Sequence, residues 1–359
     1  MFITLNQKIQ LQFFGSSHGE TLGLVICGLP QGLDLNDNQI SIDLYRRKAG
    51  KSLTSKRKEE DIPHVLSGSY SGYSTGEPLC VVFNNKDIRP QDYVDTKRFP
   101  RPSHADYPAF IKYGNKVDMS GGGPFSGRMT LGLVYAGAML KQVLESKGIF
   151  VSSRLIQIGA TRSCIDDADS PEEYIQRYKS ITQKESQSYF LEDEKAFSNV
   201  VLGAQKEGDS VGARAQTVVF GLNPGFGGPL FEGLESKLAQ VIFAIPGIKG
   251  VSFGKGFDLC SMYGLDSNDP IAFSQDQTVI HLSNNMGGID GGMSNGMPLV
   301  IHSAIKPTPS IYKDQQTIDV VTKKNSTQRS IGRHDPCIAL RANVVLEAAC
   351  AAVIAAELI

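Results

Sequence analysis

Val344-Val345-Leu346-Glu347-Ala348-Ala349-Cys350-Ala351-Ala352-Val353-Ile354, close to the C-terminus, reads as a helix that is apolar or small on nearly every face. A helix with no polar stripe cannot lie at a surface and must be buried all round. A second such stretch runs Leu131-Gly132-Leu133-Val134-Tyr135-Ala136-Gly137-Ala138-Met139-Leu140. Two helices of this kind need a covering layer on each outer side. The rest of the chain offers hairpin-like β runs for both layers. The fold class expected is α+β, a β-α-β sandwich with central buried helices between two antiparallel sheets.

Working outward, the chain echoes itself. Gly68 to Leu79 (Gly-Ser-Tyr-Ser-Gly-Tyr-Ser-Thr-Gly-Glu-Pro-Leu) resembles Gly288 to Leu299 (Gly-Ile-Asp-Gly-Gly-Met-Ser-Asn-Gly-Met-Pro-Leu). Each precedes a β-rich run, Cys80 to Phe83 and Val300 to Ser303. Upstream, Val25 to Pro30 matches Val218 to Asn223, and each half ends in a small-residue helix led by an arginine, Arg128 or Arg341. The reading is one domain over 1–359 with an internal pseudo-duplication, its repeats at about 1–150 and 206–359. Between them, 161–205 carries Asp166, Asp167, Asp169, Glu172 and Glu173 ahead of a polar helical stretch and is expected as a solvated peripheral excursion. The first helix is expected to open on a capping-box-like pair, Asn36 and Gln39, with Leu35 and Ile40 as a staple, and to end at Gly50.

Composition narrows the function. At 359 residues and 41% apolar content the chain can build a large core, and a net charge of −1 gives no global attraction to nucleic acid or acidic membranes. The six cysteines show no CxxC or CxxH spacing, so neither a disulfide framework nor structural zinc is expected. The N-terminus has no signal-peptide pattern, and a reduced, cytoplasmic protein is the expectation.

Three histidines sit in constrained loops: Gly15-Ser16-Ser17-His18-Gly19, Arg101-Pro102-Ser103-His104-Ala105-Asp106 and Gly332-Arg333-His334-Asp335-Pro336. Imidazole suits proton transfer near neutrality, although any one of these could equally be a hydrogen-bonded structural residue. No HxH or HxxxH spacing supports a metal, and none is expected. Arg46, Arg47, Arg101, Arg128, Arg333 and Arg341 cluster beside the same signals; guanidinium groups that converge imply a polyanionic ligand. Ser120-Gly121-Gly122-Gly123-Pro124-Phe125-Ser126-Gly127 leads into a helix and offers a cradle for a phosphate or a ring edge. Lys306-Pro307-Thr308-Pro309-Ser310 reads as a rigid, cofactor-gripping loop or simply a turn. Gly50-Lys51-Ser52 only mimics a P-loop, since the earlier glycine is replaced by Tyr45. The basic run Lys51 to Lys58, followed by Glu59, Glu60 and Asp61, is expected as a mobile solvated loop.

Taken in order, Gly15–Gly19, Arg46-Arg47-Lys48-Ala49-Gly50, Arg101–Tyr107, Gly291–Gly296, Lys306–Ser310 and Gly332–Pro336 resemble the chorismate synthase family, from about Phe13 to the C-terminus. The resemblance implies a homotetrameric carbon–oxygen lyase acting on phosphates. Its reaction is the trans-1,4 elimination of phosphate from 5-enolpyruvylshikimate 3-phosphate, giving chorismate for aromatic amino acid biosynthesis. Reduced FMN is required although no net redox change occurs. Position by position, His18 and His104 resemble the proton-handling pair, and Asp335 the carboxylate that helps remove the substrate proton through the flavin N5. Ser17 and Ser126 resemble serines near flavin and substrate. Arg46, Arg47, Arg101 and Arg128 resemble the substrate-anion clamp. Pro124, Phe125, Ser126, Pro246, Gly247, Gly291, Lys306, Pro307, Thr308, Pro309, Ser310 and Arg333 fall where the family holds FMN, which leaves His334 a structural role.

The sequence departs from the family pattern at Ser16 (mostly Glu), Ser103 (often Gly), Pro124-Phe125 (often Arg-Ser), Asp290 and Asn343. None of these is a proton carrier, but the changes at 16 and 124 leave open a catalytically idle flavin- or phosphate-binding protein of the same fold. A flavin-free enzyme acting on phosphorylated sugars is a further alternative. Some relatives reduce their own flavin with NADPH; with no GxGxxG fingerprint here, an external flavin reductase is the expected partner.

Overall fold

The β-rich N-terminus is built by alternation. In a computed structural model that describes residues 1–88, 90–93, 95–114, 116–163, 176 and 194–359, it forms β1 (Phe2–Leu5), β2 (Ile9–Gly15) and β3 (Thr21–Cys27). Ile9 and Leu11, then Leu22, Leu24 and Ile26, fall on one face two residues apart and are all buried. After α1 (Asn38–Arg47) come β4 (His64–Ser67), the small hairpin β5 (Ser69–Tyr70) and β6 (Tyr73–Ser74), and β7 (Leu79–Asn84). The first sheet is antiparallel, in the order β1-β2-β3-β7-β4.

Then follow α2 (Asp106–Tyr113), α3 (Thr130–Glu145), β8 (Phe150–Ile158), β9 (Thr161–Arg162), α4 (Glu194–Lys206), β10 (Ala213–Phe220), α5 (Leu234–Phe243) and β11 (Ile248–Phe253). An outer pair, β12 (Ile271–Phe273) and β13 (Val279–His281), precedes the hairpin β14 (Ile289–Asp290) and β15 (Met293–Ser294). The chain ends with β16 (Leu299–Ile305), the pair β17 (Gln315–Asp319) and β18 (Lys324–Gln328), and α6 (Ala339–Leu358). The second sheet is ordered β11-β16-β10-β8-β9. Its core β11-β16-β10-β8 matches β4-β7-β3-β2 of the first sheet, with a helix between β3 and β4 as between β10 and β11, and a small hairpin directly ahead of β7 as of β16.

The two all-apolar helices are where the sequence places them. α3 lies on the first sheet, where Gly132 faces Phe13 and Leu24, and α6 lies on the second, where Asn343 accepts from the Ser153 hydroxyl at 3.3 Å. Their backbones nearly touch, since a Cβ on Gly137 would fall 2.3 Å from the Ala348 Cβ. α6 is long and apolar enough to cross a bilayer, but 94% of its apolar window is buried inside the fold, so it is a core helix.

Two local expectations change. Asp37, not Asn36, caps α1, because its carboxylate accepts from the Gln39 amide at 2.6 Å while Asn36 is held by Asp34. The helix stops at Lys48, whose backbone is extended, before Gly50 is reached. Within the excursion, 164–175 and 177–193, including the acidic run, lie outside the described residues; α4 is what is described beyond them.

The charged residue buried in the α6 core is Glu347. Its carboxylate takes Arg46 Nη1 at 2.7 Å and Nη2 at 2.6 Å, Lys141 Nζ at 2.9 Å and the Ser153 amide at 2.9 Å. Asp43 closes the cluster on Lys141 at 2.7 Å and on Arg46 at 3.2 Å. Burial opposes the Glu347 charge, but Arg46 and Lys141 outweigh it and hold the carboxyl down at about 2. This network ties α1, α3, α6 and β8 together.

Candidate active site

A cleft of about 570 Å³ opens at one end of the sandwich. The turn between β2 and β3 delivers Ser17 and His18 to it. The Ser16 hydroxyl accepts from the Gly19 amide at 3.0 Å, and Asn85 Nδ2 donates to the Ser16 and Gly19 carbonyls at 3.2 and 2.7 Å. The Asn85 carbonyl oxygen in turn accepts from Arg128 Nε at 3.0 Å, so one amide locks the histidine turn to an arginine.

His104 enters from the loop ahead of α2. Its Nδ1 lies 2.7 Å from Asp106 Oδ1, and Asp106 is itself gripped by Arg101 through Nε at 2.7 Å and Nη2 at 2.9 Å. An ionised carboxylate only accepts, so the pairing puts the proton on Nδ1 and leaves Nε2 bare. Burial opposes ionisation of Asp106, but the hydrogen bonds from Arg101 and His104 keep its carboxyl well below the usual range. Ser103, where the family often has Gly, sits at φ 58, in the left-handed region that favours glycine.

The glycine run explains itself here. Gly121, Gly122 and Gly123 all have positive φ, and a Cβ on Gly121 would fall 2.1 Å from His18 Cε1. One on Gly122 would lie 3.4 Å from His104 Nε2. The run is a ring-edge cradle, but the rings are the protein's own two imidazoles. Pro124, Phe125 and Ser126 continue it along the cleft wall.

The electrostatics are set by crowding. Arg47, Arg57, Arg128 and Arg341 face the cleft against Glu59, Asp61 and Asp335. Arg128 Nη1 donates to Asp61, and Arg341 Nη1 to Asp335 Oδ2 at 2.7 Å. Arg47 Nη2 donates to the Gly127 and Arg128 carbonyls at 2.9 and 3.1 Å. Arg47 Nη1 and Arg128 Nη2 are buried without a hydrogen-bond partner among the described residues, each facing a carboxylate only at longer range, Asp61 at 3.6 Å and Glu59 at 3.7 Å. Burial and then the neighbouring Arg341 push the Arg47 guanidinium well below its usual range, against Asp61. Burial, with Arg57 next, lowers His18 to about 4, and burial, with Arg101 next, lowers His334 to about 4. Burial also lowers His104, against the pull of Asp106. His18 and His334 are therefore neutral at pH 7, and His104 is shifted the same way.

Of the residues singled out from sequence, Ser17, His18, Arg47, Arg101, His104, Pro124, Phe125, Ser126, Arg128, Pro246, Gly247, Lys306, Thr308, Pro309, Ser310, Arg333 and Asp335 line this one cleft. The Lys306 loop acts as a clamp: Lys306 Nζ donates to the Ser103 carbonyl at 2.5 Å, Thr308 Oγ1 to the Asp335 carbonyl at 2.8 Å, and Ser310 Oγ accepts from Arg101 at 3.1 Å. Asp335 Oδ1 is held by the Ser55 amide at 2.7 Å.

Three expectations are corrected. Arg46 does not line the cleft, because both its Nη groups are consumed by Glu347 and Asp43 in the core. Gly291 is also outside it; the hairpin carrying it packs on the start of α5, where the Gly292 carbonyl accepts from the Leu234 amide at 2.9 Å. Pro307 turns its ring toward Gly212 and away from the cleft.

Other residues were missed. The segment expected as a mobile solvated loop buries Thr54, Ser55, Glu59 and Asp61 and supplies Arg57. A run of mixed charge looks solvated in sequence, and only the pairing of Asp61 with Arg47 and Arg128, beside the local Arg57–Glu59 pair, reveals it as lining. His334, left as structural, lines the cleft with Nε2 buried and without a hydrogen-bond partner.

The family model for chorismate synthase matches residues 9–359. The chain belongs to the chorismate synthase family. It is 41% identical over 354 residues to the chorismate synthase of Thermococcus kodakarensis, covering 98% of this chain and 96% of that one. Against the Methanobrevibacter smithii chorismate synthase it is 40% identical over 357 residues, 99% and 96% of the two chains. A crystal structure of chorismate synthase superposes with a TM-score of 0.75 at 25% identity, covering 99% of this chain and 92% of that one. As in that family, the chain is an enzyme of mixed helices and antiparallel sheets acting on a small molecule.

Proposed function

We propose that this chorismate synthase family member eliminates phosphate from 5-enolpyruvylshikimate 3-phosphate to give chorismate, with reduced FMN as cofactor. It is then a carbon–oxygen lyase. The observation that carries the reading is the meeting of two imidazoles, His18 and His104, in a cleft where buried Arg47 Nη1 and Arg128 Nη2 have no hydrogen-bond partner among the described residues and meet carboxylates only at 3.6 and 3.7 Å. Such a site suits a multiply charged phosphorylated anion and the movement of one proton.

The cleft fits a flavin phosphate as well as a substrate. Ile245, Ile338, Val345 and Phe125 give it an apolar wall, while guanidinium nitrogens and His334 Nε2 that hold no hydrogen bond among the described residues give it polar ends. We assign the flavin to Pro124, Phe125, Ser126, Pro246, Gly247, Lys306, Thr308, Pro309, Ser310 and Arg333. The substrate anion falls to Arg47, Arg101 and Arg128, with Arg57 and Arg341 added. Reduced flavin supplies an electron-rich ring that promotes loss of phosphate without net oxidation.

The chain's own residues handle charge and protons. The arginines hold the phosphate and neutralise it as its C–O bond breaks. His104 can take a proton at its bare Nε2, and the Asp106 carboxylate behind Nδ1 stabilises the imidazolium that results. His18, beside the Ser17 hydroxyl at 3.2 Å, is placed for the second transfer. Asp335, held by the Ser55 amide and by Arg341, is the carboxylate proposed to help remove the substrate proton. Homotetramer formation is part of the proposal and is supported by exposed Phe257, Tyr263, Leu265, Ile271 and Phe273. So are a cytoplasmic location, the single-domain reading with repeats at about 1–150 and 206–359, and an external flavin reductase or NADPH as the source of electrons.

An anaerobic assay with reduced FMN and 5-enolpyruvylshikimate 3-phosphate, following phosphate release, tests the function; absence of turnover by intact protein overturns it. In the same assay His104→Ala should lower kcat by about 10²-fold or more while flavin affinity changes little. Equal losses would recast His104 as a binding residue.

A further inference from the structure

We propose a second anion site, for a phosphate group, on the outer face of the second sheet and remote from the catalytic cleft. The strand register sets a polar row across that face: Arg154 on β8 pairs with Gln216 on β10, which pairs with His302 on β16. Arg154 Nε donates to Gln216 Oε1 at 3.0 Å, and the Gln216 amide nitrogen faces His302 Nε2 at 3.1 Å. The glutamine oxygen is thus spent on the arginine and its nitrogen on the imidazole.

Arg154 is only 3% exposed, yet the side chain it hydrogen-bonds in this row is a neutral amide. Its Nη1 is buried without a hydrogen-bond partner among the described residues. A buried cation whose hydrogen bonds do not offset its charge is costly, and an arriving anion removes that cost. Arg154 lines a cavity of about 310 Å³ together with Arg162, Arg214 and Lys255, and among the described residues Asp258 is the lone carboxylate in its wall. Arg214 and Gln216 are two apart on β10 and so share a face, which brings the second arginine to the same opening. Among the described residues, three arginines, one of them buried, and a lysine against one exposed carboxylate suit a dianion with several acceptor oxygens, and a phosphate group supplies them. None of these residues belongs to the catalytic cleft, so the inference does not depend on the reaction proposed above.

Equilibrium dialysis of the full chain with radiolabelled inorganic phosphate tests this, with phenyl phosphate as a monoester probe. Intact protein should bind phosphate at two classes of site. Arg154→Met should lose one class, whereas Arg128→Gln, altered in the cleft, should keep it. Lys255→Gln, at an exposed position, should weaken that class by about tenfold and guards against misfolding of the buried variant. Tighter binding of phenyl phosphate than of phosphate at this class would mark a phosphorylated metabolite as the occupant; equal binding would mark free phosphate. Unchanged stoichiometry in both Arg154→Met and Lys255→Gln overturns the proposal. So does a change in oligomeric state without loss of phosphate, which would show a carboxylate of a second copy in the pocket.

Discussion

At the scale of single residues, burial and partner count separate arginines that look alike in sequence. Arg46 and Arg47 are neighbours on α1, yet Arg46 points into the core network and Arg47 toward the cleft. Arg46→Ala should therefore destabilise the protein by about 3–5 kcal/mol, because Glu347 and Asp43 lose a buried partner, and leave KM nearly unchanged in the protein that remains folded. Urea unfolding and steady-state kinetics separate the two; a raised KM at unaltered stability would return Arg46 to the substrate clamp. Asp106 acts through His104. Asp106→Asn should lower kcat by about tenfold or more and move the protonation limb of the kcat–pH profile to lower pH, since the imidazolium loses its carboxylate. A drop in kcat without that displacement would make Asp106 merely structural. His18 and His104 were legible in sequence because glycine, proline and arginine frame them, which signals fixed loop geometry. The Arg57–Glu59 pair and Asp61 were not, since the groups they meet across the cleft, the Ser17 carbonyl, Arg47 and Arg128, come from three other segments, and no local pattern encodes such a meeting.

At the scale of elements, the buried helices were the most legible part of the chain. An all-round apolar face has one physical solution, and α3 and α6 adopt it. Cap positions were less legible, because Asn36 and Asp37 have the same chemistry and only the backbone angle of the entering chain chooses between them. The close approach of α3 and α6 was not readable at all, as Gly137 looks in sequence like a helix weakness. Gly137→Ala tests its role. Intrinsic propensity alone would favour alanine by about 1 kcal/mol. The added Cβ would instead meet Ala348 Cβ at 2.3 Å and its Cα at 2.4 Å. We expect a net loss of about 1–3 kcal/mol in urea unfolding, the range for overpacked cores. A gain in stability would mean that the helices can separate without cost.

At the scale of the whole molecule, a near-neutral chain hides a strongly positive cleft, and the histidines inside it report that field. Burial and nearby arginines hold His18 and His334 at about 4, and His104 is lowered as well. Their ordinary value in an unfolded chain is about 6.5. Between those limits the unfolded chain binds protons that the folded one does not, so stability is complete above about pH 6.5 and falls as the pH drops toward 4. For His18 and His334 the loss should be about 2 kcal/mol each by pH 5. Glu347, held at about 2, contributes a separate loss that begins only below its ordinary value of 4.5, so the two windows are distinguishable. A bound anion changes the first window and not the second: it stabilises each imidazolium and should flatten the decline between pH 6.5 and 5. Urea unfolding across this range, with and without 5-enolpyruvylshikimate 3-phosphate, measures both effects. His334→Phe should remove part of the slope. A slope unchanged by that substitution and by the ligand would mean that the cleft imidazoles are not held neutral by their surroundings, and that the proton carriers need another account.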